Sequence, residues 1–406
     1  MNVEQHTIDL SAERLTLGDA AGRISRISGL IGVAGLAATA FLGAKSPDHA
    51  VLSGLVAWAF WLTLVLGALF FVLIQHLTRA GWSVVVRRLA EAIAANAGLM
   101  AVLGAVLVFL MLRGHPPLFE WADPARVAQE PAIARKAAYL NPRFFIVRAI
   151  LCFTAWWIIA SWFFRQSLRQ DDSGDPVLTT RMQRVAGPSM IVFAITLTMA
   201  AVDFLMSLEP TWYSTIFGVY LFAGSTLAFC AALPLTTYLL QRSGRMTGVV
   251  TREHYHDMGK LVFAFTIFWT YIAFSQYMLY WYANIPEETI WFARRQTGEW
   301  TRYSVFLLAG RFLAPFLILI SRIPKRMPGV LAAACAWTLF MQWIDLYYLA
   351  MPHASPGRVP WSLLDATAFL GVGGLFVSVL AHRLGTKSLI PRRDPRLAES
   401  LAFENF

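Results

Sequence analysis

Two phrases in this sequence place a carboxylate where lipid tolerates one only at a cost. Met199-Ala-Ala-Val-Asp203-Phe-Leu-Met-Ser-Leu-Glu-Pro210 and Met341-Gln-Trp-Ile-Asp345-Leu-Tyr-Tyr-Leu-Ala-Met-Pro352 share a Met, an Asp four residues on, and a Pro seven residues after it. Each ends an apolar stretch, so on a helix the carboxyl lies roughly 10 Å from a proline-marked turn. An ionisable group at that depth costs at least about 2.5–3.5 kcal/mol. An arginine stands inside the apolar stretch before each: Arg148 ahead of Asp203, and Arg311 ahead of Asp345, with Arg302 competing for the second place. Two chemistries suit such pairs. One is an ion pair that lowers the cost of burying each charge and locks two helices. The other is a proton-accepting carboxylate whose affinity the arginine tunes. The residues alone leave both open. Asp365, a turn into the last apolar stretch, reads as an interfacial cap.

A second set of titratable residues gathers at the opposite ends of the apolar stretches: His76, Glu91, His254, His256, Asp257 and Lys260. Acidic residues opening a helix suit its dipole, so capping and headgroup contact explain the set. An intake for cytoplasmic protons explains it too, since histidine titrates near neutrality. Between the two sets lie Thr196, Thr198, Thr237, Thr266, Thr270, Tyr271, Ser275, Gln276 and Tyr277. Hydroxyls could carry a half-channel, although hydroxyls in membrane helices often bond only to the backbone.

Redox chemistry finds few ligands. The eight histidines (His6, His49, His76, His115, His254, His256, His353 and His382) fall in loops or at the ends of apolar stretches, where a membrane haem needs two facing each other within the bilayer. Cys152, Cys230 and Cys335 are isolated from one another, whereas iron–sulfur clusters need grouped thiolates. No covalent-haem, Walker or dinucleotide-binding motif is present. The chain is expected to bind no cofactor itself.

These residues must be positioned by membrane helices. Of 406 residues 57% are hydrophobic and 14% charged, with a mean hydropathy of +0.54; a soluble domain carries about 25% charged residues. The net charge of +10 is therefore topological and no sign of nucleic-acid binding. The polar first 22 residues hold no apolar signal core. Hydropathy predicts an all-α protein with ten spans, at about 27–44, 50–77, 83–113, 142–168, 181–208, 211–241, 254–282, 300–321, 328–351 and 361–385. On the side of the N-terminus the connecting segments carry 22 of the 34 Lys and Arg residues, against 10 on the other side, which makes both termini cytoplasmic. The outer connection 114–141, with His115-Pro116-Pro117 and Trp121, reads equally as an interfacial helix or a surface loop. The tail from Lys387 reads as lying on the membrane surface or on a neighbour.

The Met/Asp/Pro phrases fall on spans 5 and 9, the arginines on spans 4 and 8, and Glu91 and Asp257/Lys260 on spans 3 and 7. A four-span shift relates all three matches and preserves direction. The expected organisation is a cytoplasmic segment 1–26, a peripheral helix 27–49, four-helix bundles at 50–210 (spans 2–5) and 211–352 (spans 6–9), a second peripheral helix 353–386, and a tail 387–406.

Three segments resemble the NrfD/PsrC superfamily of ten-helix, quinone-interacting membrane subunits, and within it the ActF-like branch of bacterial alternative complex III. They are Lys136-Ala-Ala-Tyr-Leu-Asn-Pro-Arg-Phe-Phe-Ile-Val-Arg148, the stretch from Asp203 to Gly224, and the aromatic stretch from Phe265 to Glu288. The resemblance covers nearly all of the hydrophobic region. It implies two four-helix bundles in a multi-pass protein of the bacterial inner membrane. It also implies a quinol:cytochrome c oxidoreductase containing a sister quinol-binding subunit, an iron–sulfur subunit, multihaem and monohaem cytochromes c and small membrane subunits. Haem c and iron–sulfur clusters would lie in those partners, and quinol would be the substrate of the complex. For this branch it implies a scaffold with a role in proton passage, which agrees with the relay candidates that the residues themselves offer: Asp203, Asp345, Arg148, Arg311, Glu91, His254, His256, Asp257 and Lys260. Two other readings stand beside it: a quinol site of this chain's own, at Asp203, Arg148 or the His353 region, and a secondary transporter.

Overall fold

A computed structural model describes residues 11–114 and 118–405. The expectations that fall on His6, His115, Pro116 and Pro117, and on the rest of residues 1–10, lie outside the described residues. All secondary structure among the described residues is helical. Among the described residues, ten helices are long and apolar enough to cross a membrane: span 1 Glu13–Gly43, span 2 Pro47–Leu77, span 3 Val84–Arg113, span 4 Pro142–Ser173, span 5 Val177–Leu208, span 6 Phe217–Arg242, span 7 Arg252–Ala283, span 8 Glu299–Leu319, span 9 Pro328–Ala354 and span 10 Leu363–Leu384.

Three spans differ in detail from the hydropathy reading. The long helix of span 1 starts at Asp19, because Arg23 and Arg26 sit on its exposed face and cost it little. Span 3 is two helices, Val84–Ala94 and Ala97–Arg113. Asn96 stands at the break and donates from Nδ2 to the Phe376 carbonyl at 3.2 Å, tying the break to span 10. Span 8 widens into a π-helical turn at Ala309–Leu313 around Arg311. Pro315 has no N–H to return to the Arg311 carbonyl, which favours such a departure from regular spacing.

Spans 2 and 6 lie together at the centre, each with 83% of its apolar window buried. They approach closely because Gly67 on span 2 faces the Ser225 carbonyl, where a Cβ would meet the oxygen at 2.2 Å. Span 2 also packs on spans 3, 5 and 10, and span 6 on spans 5, 7 and 9. Span 1 touches mainly span 10, through small residues that let backbones meet: a Cβ on Gly374 would lie 2.4 Å from the Gly32 nitrogen, and one on Gly35 would lie 2.7 Å from the Gly371 nitrogen. Gly374→Leu is therefore expected to detach span 1. Ser25 and Ser378 bridge the same seam, Oγ to Oγ at 3.2 Å, so a Ser25→Cys/Ser378→Cys pair should crosslink readily in the parent chain and fail to do so with Gly374→Leu.

The described chain ends meet on one face, the terminal face, where the Leu389 N–H donates to the Leu15 carbonyl at 2.7 Å. The tail thus packs on the protein's own helices, with Leu389, Ile390 and Ser400 buried. The distal face carries short helices at Glu120–Ala122, Pro124–Gln129 and Pro131–Ala134, and an amphipathic helix at Pro286–Arg295.

Candidate functional site

Both arginine–aspartate pairs form, and they differ. Span 4 opens on Asn141, whose Oδ1 accepts the Phe144 N–H at 2.9 Å, followed by Pro142 in its first turn. That start sets Arg148 on the buried face with Phe145 and Cys152, opposite Asp203 near the end of span 5. Arg148 grips the carboxylate with both prongs, Nε to Oδ2 at 2.8 Å and Nη2 to Oδ1 at 2.9 Å. Its remaining nitrogen, Nη1, donates to the Tyr139 carbonyl at 2.8 Å. The guanidinium lies 3.7 Å from the Tyr139 ring centroid and 4.4 Å from that of Phe144. Burial first, then the Asp203 carboxylate, push the Tyr139 phenol up to about 12. Every nitrogen of this arginine is occupied.

The second pair is looser. Arg311 and Asp345 are buried, yet Nη2 stands 3.5 Å from Oδ2 in a single contact. The same Nη2 donates to Gln342 Oε1, and the guanidinium lies 4.3 Å from the Trp269 centroid. Asp345 Oδ1 accepts the Tyr220 hydroxyl. Arg311 Nε and Nη1 have no hydrogen-bond partner among the described residues. Gly224 on span 6 makes the space: a Cβ there would lie 3.3 Å from Nη2 and 3.4 Å from Gln342 Oε1. Here the carboxylate has one close hydroxyl and one distant guanidinium nitrogen, and the arginine keeps unused donors in the π-helical turn.

The terminal-face residues do not form one cluster. Glu91 is enclosed with Arg87 (3.3 Å) and Arg88 (3.2 Å); Arg88 also reaches Asp171 at 2.8 Å, and Arg87 pairs with Asp394 of the tail. His254 closes a capping box with Thr251, and its Nε2 lies 3.0 Å from the Ser400 carbonyl. The Ser400 hydroxyl donates to the Trp82 carbonyl at 2.6 Å. The tail thus covers both Glu91 and His254. Asp257 pairs with Lys260, which also donates to Asn405 Oδ1 at 3.0 Å. His256 is partly buried with Nδ1 unpartnered, and His76 is buried with Nε2 unpartnered, 5.3 Å from the Phe163 ring. Asp394→Ala removes one acid from a network with two buried arginines and is expected to cost about 3 kcal/mol. Faster proteolytic removal of the tail than in the parent chain would show it.

Most of the candidate hydroxyl ladder is spent on the backbone. Thr198, Thr237, Thr266 and Thr270 each donate to the carbonyl four residues earlier. Thr196 does the same and also accepts from Trp156 Nε1 at 2.8 Å. Gln276 Oε1 accepts from Ser214 at 3.1 Å, and Tyr271 is exposed on the outside of span 7. The three cysteines are buried and unbridged, and among the described residues no three His, Cys, Asp or Glu side chains converge as metal ligands would.

Two features escaped the sequence reading. Glu209, one residue before Pro210 of the first phrase, binds Arg294 at 2.7 Å and Arg295 at 2.9 Å. Arg295 also donates to the carbonyls of Trp291, Tyr348 and Leu349; burial lowers its pKa, opposed by Glu209. His353 Nε2 lies 3.6 Å from Glu120 of the 114–141 connection. Arginines in a connecting segment had read only as topology charges. Asp365 does cap span 10, accepting the Ser362 N–H at 2.9 Å, but it also accepts from Ser53 at 2.6 Å and faces His49 at 3.5 Å. It lies at one end of a groove of about 660 Å³ walled by Trp343, Trp361, Phe369 and Phe376.

The chain matches no protein-family model and no curated protein.

Proposed function

We propose that this chain is an NrfD-like membrane subunit of a bacterial inner-membrane quinol:cytochrome c, or other high-potential acceptor, oxidoreductase, serving as scaffold and proton conductor without a redox centre of its own. The observation that carries the conducting role is the asymmetry of the two pairs. Asp203 is held by Arg148 at both oxygens and suits a lock, whereas Asp345 has a loose partner and a neighbouring hydroxyl able to exchange protons. On this reading spans 2–5 and 6–9 are two bundles with spans 1 and 10 outside them, the terminal face is cytoplasmic, and the tail seals it over Glu91 and His254. The iron–sulfur, multihaem and monohaem cytochrome c, sister quinol-binding and small membrane subunits would gather around it.

Isolation from native membranes under mild detergent tests this. Co-purifying c-type haem, an iron–sulfur signal and quinol-dependent reduction of a high-potential acceptor are expected. A chain that purifies alone and moves a solute across vesicles would establish the transporter reading instead. The groove ending at Asp365 favours one alternative, a quinol site in this chain. Quinone protection of cysteines introduced at Thr236 or Ala366, both lining that groove, would support it over a purely conducting role.

A further inference from the structure

We infer that the terminal-face ends of spans 4 and 5 hold the headgroup of an anionic phospholipid bearing two phosphodiesters and a free hydroxyl. A cavity of about 290 Å³ there is lined by Trp157, Trp162, Arg165, Gln166, Arg169 and Arg181 among others. Arg165 and Arg169 are four residues apart on span 4 and so share a face. Arg181 comes from span 5, with its guanidinium 5.9 Å from the Trp162 centroid. All three arginines are exposed and have no ion-pair or hydrogen-bond partner among the described residues. Of the nearby acids, Asp171 binds Arg88 at 2.8 Å and accepts the Arg392 N–H at 2.8 Å, Asp175 caps the Val177 N–H at 2.9 Å, and the exposed Asp172 forms no ion pair with the three arginines. Three guanidinium groups without an ion-pair partner therefore line one concave site.

Gln166 is the independent observation. It lines the same cavity, is 3% exposed, and its Oε1 has no partner. A buried amide of this kind suits a ligand with both acceptors and a donor. Phosphate oxygens accept from Arg forks and from the amide nitrogen, and a glycerol hydroxyl donates to Oε1. Free phosphate lacks the part that the flanking Trp157 and Ile158 suit. Both are exposed, 47% and 55%, on the side an acyl chain would occupy, and basic pockets between membrane helices favour such two-phosphate lipids. The inference does not depend on the quinol reading.

The protein as isolated, delipidated in detergent, would be titrated separately with cardiolipin, phosphatidylglycerol, phosphatidylcholine and inorganic phosphate, reading bound lipid by native mass spectrometry and Tm by thermal unfolding. Cardiolipin should bind most tightly and raise Tm most, phosphatidylglycerol less, and phosphatidylcholine and inorganic phosphate not measurably. Arg165→Gln/Arg169→Gln/Arg181→Gln should weaken cardiolipin binding roughly a hundredfold and Gln166→Leu roughly tenfold, with Arg322→Gln on the same face unchanged. Should the triple variant fail to fold, Arg169→Gln alone, at an exposed position, should still weaken binding roughly fivefold. Cardiolipin binding unaltered by these changes, or matched by inorganic phosphate, overturns the inference.

Discussion

Arg148→Leu should lower stability by about 3–5 kcal/mol, a large share of the total, and reduce the yield of folded protein. The substitution leaves Asp203 buried without its two-pronged partner and frees the Tyr139 carbonyl as well. Asp203→Leu should cost a similar amount by stranding Arg148. The double variant Arg148→Leu/Asp203→Leu is the informative one, because replacing both partners of a buried pair by apolar groups is often nearly neutral. Thermal unfolding in detergent should therefore show two severe single losses and a double variant much nearer the parent, with the Tyr139 carbonyl as the residual debt. Additive losses would mean that the two side chains do not act as a pair. The outcome bears on function, since a proton taken up by Asp203 would discharge the carboxylate on which its two-pronged bond to Arg148 depends.

The spans and the buried pairs were legible in the sequence for one physical reason. Lipid penalises polar groups so heavily that apolar length marks a helix and a charge inside it demands a partner. What the sequence could not give is how fully each partner is satisfied. Arg148 is completed by a carbonyl nine residues earlier, at Tyr139, while Arg311 is drawn aside by Gln342 into space left by Gly224. Neither relation has a periodicity to read. The π-helical turn was likewise invisible, because Pro315 alone reads as an ordinary membrane proline. Glu209 with Arg294 and Arg295 went unread because charges in connecting segments cost little when solvated, and only the fold buries Glu209 and Arg295. The tail misled for the opposite reason. Its polar residues suggest a surface, yet Leu389, Ile390 and Ser400 are fully buried against the helices, and Asp394 answers a buried arginine.

The decisive functional prediction follows from the same asymmetry, transferred to the second pair. Asp345→Asn keeps the size of the side chain and an oxygen for the Tyr220 hydroxyl, but removes the group that can take up a proton. In the assembled complex, reconstituted in proteoliposomes, proton movement coupled to quinol oxidation should slow at least about a hundredfold. Asp345→Glu should restore part of it. Tyr220→Phe, which removes the hydroxyl beside the carboxylate, should reduce coupling while preserving Asp345 and Arg311. Asp203→Asn should behave in the reverse manner, with reduced yield of folded protein and an unaltered proton-to-electron ratio in what survives. Comparing the two asparagine variants separates charge burial from proton transfer, since both remove one buried carboxylate facing one arginine. If the proton-to-electron ratio stays at the parent value with Asp345→Asn, the second pair is a lock like the first, and the chain is a scaffold alone.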